Sequence, residues 1–437
     1  MHRSQGMGPA LAGALLLLVA MALLSGCDLP WPPPMATPGT PTYTPLPPAP
    51  AATPTPTSLP VPAVITLTLW TTEAFSPTQA GPAGQILAQQ VAAFETAHPD
   101  VRLEVMLKKP YGKGGLLDFL LTTAAVVPDL LPDLVFIDVD ELGTAVQAGL
   151  VHPLDNLIPS DLGADLYPFA REACTFDGRL YGLQFQADLD HLVYNTGQMT
   201  MPPRSWPGVL SGQGLYLFPA GGQAGLVNDA FLIQYLAVRG QGTDSPFLEQ
   251  NSLAAVLQFH QDGLSRGVLP ATITTYHTPA DCWREYLAGQ AALVQVSAHL
   301  YLADRSRLEG SAAAPIPAIN GPAAPIGRGW ALALVTSDPA RQLLAAEFLV
   351  QLMSPEINGA WNLAANYLPT RRAALAFWDP SDDYTLFLQQ QLEMARSRPA
   401  IPNYTQVATA LQQAVEAVLS GTATPEQAAA QAIDNSK

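Results

Sequence analysis

The sequence predicts an α/β fold with more than one hydrophobic core, and three observations lead there. Strand-like and helix-like segments alternate from residue 63 to the C-terminus. The chain has 437 residues, and chains above roughly 250–300 residues divide into domains. Apolar residues make up 48% and charged residues 13%, a composition that builds cores and leaves no long charged tails.

The elements follow in order. Val64–Trp70 reads as a strand, with Ile65, Leu67 and Leu69 on one face and Thr66 and Thr68 on the other. Gly84–Ala97 is helical through a stripe of Ile86, Leu87, Val91 and Phe94, and Pro99-Asp100 breaks it. Val101, Leu103, Val105 and Leu107 alternate as a second strand. Leu134–Ile137 is a short apolar run that ends in Asp138 and Asp140, and the helix after it stops near Gly149. This β-α-β-α order predicts a mostly parallel sheet flanked by helices. Asp177-Gly178 between Thr175-Phe176 and Leu180-Tyr181 is a hairpin signal. Helices are expected near 228–239, 249–266 and 338–353, the last capped by Ser337-Asp338 with Pro339 in its first turn. Thr424-Pro425-Glu426-Gln427 fits a capping box. No internal repeat is visible.

The first 62 residues are of a different kind. His2 and Arg3 precede an apolar run, Ala10–Leu24, that only Gly13 interrupts. It falls short of the roughly 20 residues of a spanning helix and suits a signal-peptide hydrophobic region. Leu24-Ser25-Gly26-Cys27 resembles the bacterial lipobox, which implies cleavage after residue 26 and acylation of Cys27. Two acyl chains hold a protein on a bilayer where one does so marginally. In residues 28–62, fourteen of 35 are proline and seven are threonine. That composition favours polyproline II and spans roughly 100 Å as a tether. Cys174 and Cys282 remain; two isolated buried thiols are expected in preference to a disulfide.

The formal charge is −16, with four lysines in the whole chain. That balance disfavours a nucleic-acid partner, which needs a basic face, and charge-driven docking on anionic lipid. Lys108, Lys109 and Lys113 read as a solvated loop after a strand. Gly263-Leu264-Ser265-Arg266-Gly267 has the G-x-S-x-G spacing of a hydrolase elbow, but follows a helix rather than a strand, so Gly267 reads as a helix-ending glycine. Metal-ligand spacings and a phosphate loop are absent from the sequence, so no cofactor or metal is expected.

Several segments resemble family 1 extracellular solute-binding proteins, the maltose-binding-protein type. They are ITLTLWTTE (65–73), AAFETAHPDVRLEV (92–105), PDLVFIDVDELGTAVQAGLVHPLD (132–155), FDGRLYGLQFQADLDHLVYNT (176–196), AGQAALVQVSA (288–298), GRGWALAL (327–334), EFLVQLMSPE with NYLPTRRA (347–373), and IPNYTQVATALQQAVEAVLSGTATPEQA (401–428). They occur in the family's order. The resemblance implies a two-lobed periplasmic-binding-protein fold with a ligand cleft between lobes. It implies lobe one at 63–185 and 330–353, and lobe two at 186–329 and 354–437. It also implies a non-enzymatic, monomeric substrate-binding lipoprotein of an ABC importer, held outside the cell membrane or in the periplasm through Cys27 alone. Such a protein delivers a small polar solute to permease subunits served by a separate ATPase chain. One departure is that the stretch after Asn195 is short and Gly-rich, which abbreviates part of lobe two.

Carbohydrate recognition needs flat apolar surfaces and planar polar groups for hydroxyls. Trp70 and Glu73 follow the first strand, where parallel-sheet ligands bind. Asp138 and Asp140 end the third, and Asp140 also suits an N-cap for a helix at Glu141–Ala148. By resemblance, Asp140 and Asp188 occupy family ligand positions. Trp330 follows the return crossover, His299 falls at an aromatic position of lobe two, and Tyr367 precedes Leu368-Pro369. Arg328 reads as a surface arginine. A sugar is the favoured ligand. A polyamine becomes competitive if Glu73, Asp138, Asp140 and Asp188 converge without cationic partners. A sensory binding module, a ligand-free envelope lipoprotein and a secreted hydrolase are the other readings.

Overall fold

The computed structural model describes residues 64–240, 247–399, 401 and 403–437. The targeting segment, Cys27 and the Pro-rich stretch lie outside the described residues.

Eleven strands are described: β1 Ile65–Thr71, β2 Val101–Leu107, β3 Leu134–Asp138, β4 Thr175–Phe176, β5 Arg179–Leu180, β6 Gly182–Asp188, β7 Asp190–Asn195, β8 Tyr216–Leu217, β9 Leu293–Ser297, β10 Ser311–Ala314 and β11 Arg328–Leu334. They form a five-stranded sheet ordered β2-β1-β3-β11-β6 and a four-stranded sheet ordered β10-β7-β9-β8, with β4-β5 as a separate hairpin. Each large sheet has its own buried core, and these are the two lobes.

The α/β class and its two lobes agree with expectation, but the sense of pairing differs. β1 runs parallel to β2 and β3, as β-α-β order requires. β11 is antiparallel to both β3 and β6. In the second sheet β7 is antiparallel to β9 and β10, and only β8 is parallel to β9. The reason is the crossover. β6 leaves the first sheet at Asp188 and the chain enters the second as β7 at Asp190, so a strand order read locally cannot give its direction.

The first core is organised by Phe75, in the short turn Glu73–Phe75 after β1. Its ring stacks on Phe136 at 4.6 Å and on Trp361 at 5.4 Å, and it meets Trp330 at 5.5 Å. Trp361 comes from helix Pro355–Ala365, far along the chain. In the second core Trp206 of the short helix Trp206–Ser211 stacks on Phe259 at 4.6 Å. The abbreviated stretch after Asn195 is thus that one short helix and β8.

Local signals hold where the chemistry is local. Asp177 and Gly178 take φ of 49° and 75°, the type I′ pattern that lets β4 and β5 close with two residues. Asp338 accepts from Ala340 N and Arg341 N ahead of helix Pro339–Leu352. Thr424 and Gln427 make both bonds of the capping box. Gly267 has φ 72° just beyond helix Gln250–Ser265, so the Gly263–Gly267 stretch is a helix end. Cys174 and Cys282 are free and buried, and burial pushes the Cys174 thiol up to about 12.

Two histidines sit neutral in the second core. His260 shares a hydrogen bond between Nε2 and Gln234 Oε1 at 2.7 Å, and His191 Nε2 lies 2.8 Å from Tyr384 OH. Burial lowers them to about 3 and about 4 respectively. Both values lie below the unfolded imidazole's ~6.5, so only the unfolded chain takes up these protons as the pH first falls. Stability is therefore intact above pH ~6.5 and is lost progressively below it, by about 2 kcal/mol per histidine at pH 5. Urea titrations at pH 8 and pH 5 should show that loss, and His260→Gln should reduce the slope. An unchanged slope in the variant would remove His260 from the account.

Candidate functional site

The chain passes between the sheets at β6-β7 and returns at β11, and charge concentrates there. Arg328 begins β11 between two glycines. A Cβ on Gly327 would stand 2.3 Å from the Phe169 ring, and one on Gly329 would stand 2.0 Å from Gln186 O. The Gly-Arg-Gly triplet thus lets β11 press against β6 while projecting one long cation. Arg328, expected at the surface, is instead turned inward with 26% side-chain exposure. Its Nη2 donates to Asp190 Oδ1 at 2.7 Å and Asp188 Oδ2 at 3.3 Å, and Nη1 donates to Asp229 Oδ2 at 3.0 Å. Burial alone would lower its pKa, but the three carboxylates win and hold it well above the usual value. Asp188 Oδ1 also accepts from the backbone N–H of His299 at 3.0 Å, the second residue of helix Ala298–Asp304.

A second arginine extends the set. Arg398 Nη2 lies 2.6 Å from Asp229 Oδ1, and its Nε donates to Asp140 Oδ2 at 2.8 Å. Burial would raise the Asp229 pKa, yet Arg398 and Arg328 together hold it below the usual carboxylate range. Four carboxylates therefore share two guanidiniums, and the group is two charges negative.

Beside these groups lies a cavity of about 640 Å³ in the second lobe, within the range of small-molecule sites. Its polar lining includes Asp188, Asp190, Asn228, Asp229, Arg328 and Arg398, with Leu226, Val227 and Leu300 among the apolar part. Planar carboxylates, guanidiniums and an amide next to hydroxyls suit a polyhydroxylated ligand.

At the strand ends of the first lobe, aromatic and acidic side chains meet. Trp330 pairs in register with Asp138 of β3 and Gln186 of β6, so its ring lies at the strand ends. Tyr111, 55% exposed, approaches it at 5.6 Å and donates its OH to Asp138 Oδ2 at 2.6 Å. Asp138, not Asp140, caps the following helix: its Oδ1 accepts from Asp140 N, and the helix runs Val139–Gln147. The N-cap reading of Asp140 is thereby corrected, because the helix starts two residues earlier than expected. Burial raises the Asp138 pKa against the opposing Tyr111 bond. Burial, then Asp138 and Asp140, push Glu141 up to about 7.

The other expected residues are dispersed around this frame. Glu73 is exposed in its turn. Trp70 is 4% exposed, edge-on to Phe119 at 6.3 Å, with Lys108 Nζ 4.4 Å from its ring centre. Lys108 thus covers an aromatic, while Lys109 and Lys113 are exposed as read. His299 stacks on Tyr367 at 4.2 Å, and its Nδ1 lies 3.1 Å from Asn366 O. Of the expected set, only Asp188 lines the cavity, and Asp140 reaches it through Arg398.

Tyr111, Asp229 and Arg398 were missed. Tyr111 alone had a signal, a lone aromatic between Pro110 and Gly112 beyond a strand. Asp229 and Arg398 meet only after folding. Among the described residues, no group of three or more His, Cys, Asp or Glu is placed to hold a metal ion.

Two α/β lobes joined by crossovers, with a polar cavity beside them, define the class of two-lobed solute-binding proteins. The chain belongs to the bacterial extracellular solute-binding protein family, whose profile matches residues 89–387. A maltotriose-binding protein of Pyrococcus abyssi is 36% identical over 75 residues, 17% of each chain. The cyclic α-maltosyl-1,6-maltose binding protein of Arthrobacter globiformis has a similar structure, with TM-score 0.68 and 21% identity over 85% of this chain and 97% of that one. The maltotriose-bound protein of Thermus thermophilus gives 0.61 and 20%, over 85% and 98%. The family is one of binding proteins, not enzymes.

Replacing Arg328 with Met should leave Asp190 and Asp229 buried without that cation and cost about 3–5 kcal/mol. Chemical denaturation at pH 7 measures it. A loss below about 1 kcal/mol would show that water replaces the arginine there.

Proposed function

We propose that this protein captures a neutral oligosaccharide, of the malto-oligosaccharide kind, and hands it to a membrane permease energised by a separate ATPase chain. The observation that carries the ligand class is the charge state of the cavity. Asp188, Asp190 and Asp229 line it against Arg328 and Arg398, which leaves it one charge negative, and both arginines are committed to carboxylates. An anionic solute would meet repulsion with no uncommitted guanidinium to bind. A neutral sugar can instead share hydroxyl hydrogen bonds with the same planar groups. The maltose- and maltotriose-binding relatives support this choice. Trp330 and Tyr111 are proposed to supply the apolar surface for a sugar face. Asp138, Asp140, Asp188 and Glu73 are proposed to take hydroxyls, with His299, Tyr367 and Trp70 shaping the walls. The polyamine reading weakens, because Asp140 and Asp188 have cationic partners. Export, acylation at Cys27, and a position outside the cell membrane or in the periplasm complete the proposal. Their support is the lipobox-like Leu24–Cys27 and the Pro-rich tether after it.

The test is calorimetric titration and thermal shift of the protein with maltotriose, glucose 6-phosphate and spermidine. Maltotriose at about 100 times its dissociation constant should add roughly 2.7 kcal/mol of stability. Tyr111→Ala should weaken maltotriose at least fivefold while changing unliganded stability by only about 0.5 kcal/mol, since the side chain is half exposed. Response to glucose 6-phosphate or spermidine without response to neutral sugars would overturn the assignment.

A further inference from the structure

Arg328 and Arg398 both join the lobes, and Arg398 does so through a half-exposed partner. Arg398 lies between helices Asp383–Met394 and Tyr404–Leu419, whose apolar residues pack in the second core. Its Nη2 holds Asp229 at 2.6 Å, the first residue of helix Asp229–Arg239 in that lobe. Its Nη1 donates to Tyr404 OH at 3.3 Å. Its Nε crosses to Asp140 at 2.8 Å. Asp140 belongs to helix Val139–Gln147, which packs on the first core through Val139, Leu142 and Ala145. The same arginine lines the cavity.

We propose that Arg398 is an electrostatic latch: it draws the lobes together through Asp140 before ligand arrives, and so sets the fraction of molecules ready to bind. The consequence for binding rests on the solute-capture reading above; the latch itself acts on the empty protein.

The two halves of the contact are unequal, and that makes it a latch instead of a fixed brace. The Asp229 side chain is 11% exposed and also held by Arg328, so parting it from Arg398 would strand a buried charge. The Asp140 side chain is 44% exposed, so water can take it over when the lobes part. Opening therefore breaks the outer pair and keeps the inner one. A half-exposed pair biases the equilibrium by roughly three- to fivefold, and apparent affinity falls with the competent fraction. Salt screens such a pair over ~10 Å at 0.1 M and over less as salt rises.

Asp140→Asn tests this without disturbing the fold, because the helix cap uses the Asp140 backbone N–H and the Asp138 carboxylate. Nitroxides are placed at Leu121→Cys and Leu386→Cys, exposed positions on helices of the two lobes, in a full-length Cys27→Ser background. Cys174 and Cys282 are buried and stay unlabelled. Pulsed electron paramagnetic resonance then reads the interlobe distance without ligand. The expected result is a new distance population in Asp140→Asn, approached by the parent protein in 0.5 M salt. Superimposable distance distributions for parent and variant would overturn the latch, whatever the sugar does. A shifted distribution with no sugar binding would keep the latch and remove the oligosaccharide reading.

Discussion

Arg328 stands where the chain leaves one lobe and returns to it, and much of the site depends on its charge being satisfied there. Asp188 and Asp190 flank the outgoing crossover, and Arg328 opens the returning strand. Asp229 is brought from the second lobe to complete the set. A buried guanidinium is costly unless paired, and buried carboxylates equally so. The mutual requirement pins the two crossovers and the start of helix Asp229–Arg239 to one point. The cavity lies against that point, so its polar lining inherits a defined arrangement.

The first lobe answers with a different kind of order. Its interior is aromatic, with Phe75 gathering Phe136, Trp330 and Trp361 from three separate parts of the chain. Trp330 belongs to that cluster, and Tyr111 covers it. On the proposed reading, the aromatic cluster of the first lobe supplies apolar contact and the polar, net-negative cavity supplies directional hydrogen bonding. Sugars present apolar faces and hydroxyl edges and so need both. On the same reading, the negative balance across the carboxylates and arginines disfavours anionic solutes.

How much was legible can be judged residue by residue. The hairpin at Asp177-Gly178, the Asp338 cap and the Thr424 capping box were readable because each rests on neighbours within three residues. β1, β2 and β3 were readable from apolar alternation and the breaks at Pro99 and Gly149. Asp138 was placed at the end of the third strand, where it is found. The second sheet was misjudged in direction because β7 to β10 pair across long sequence separations. The Arg328 reading failed for the same reason: its partners lie about 100 residues or more away.

The amino-acid sequence by itself determined the α/β alternation, the helix ends, the tight turn and the acidic character of the chain. Those depend on backbone preferences and short-range hydrogen bonds, which operate before any distant segment arrives. Only the tertiary structure decided that Arg398 joins Asp140 to Asp229, that Tyr111 covers Trp330, and that Trp70 is sealed under Lys108. A charge or a ring takes its role from the dielectric and the partners around it, and these exist only once both cores have packed.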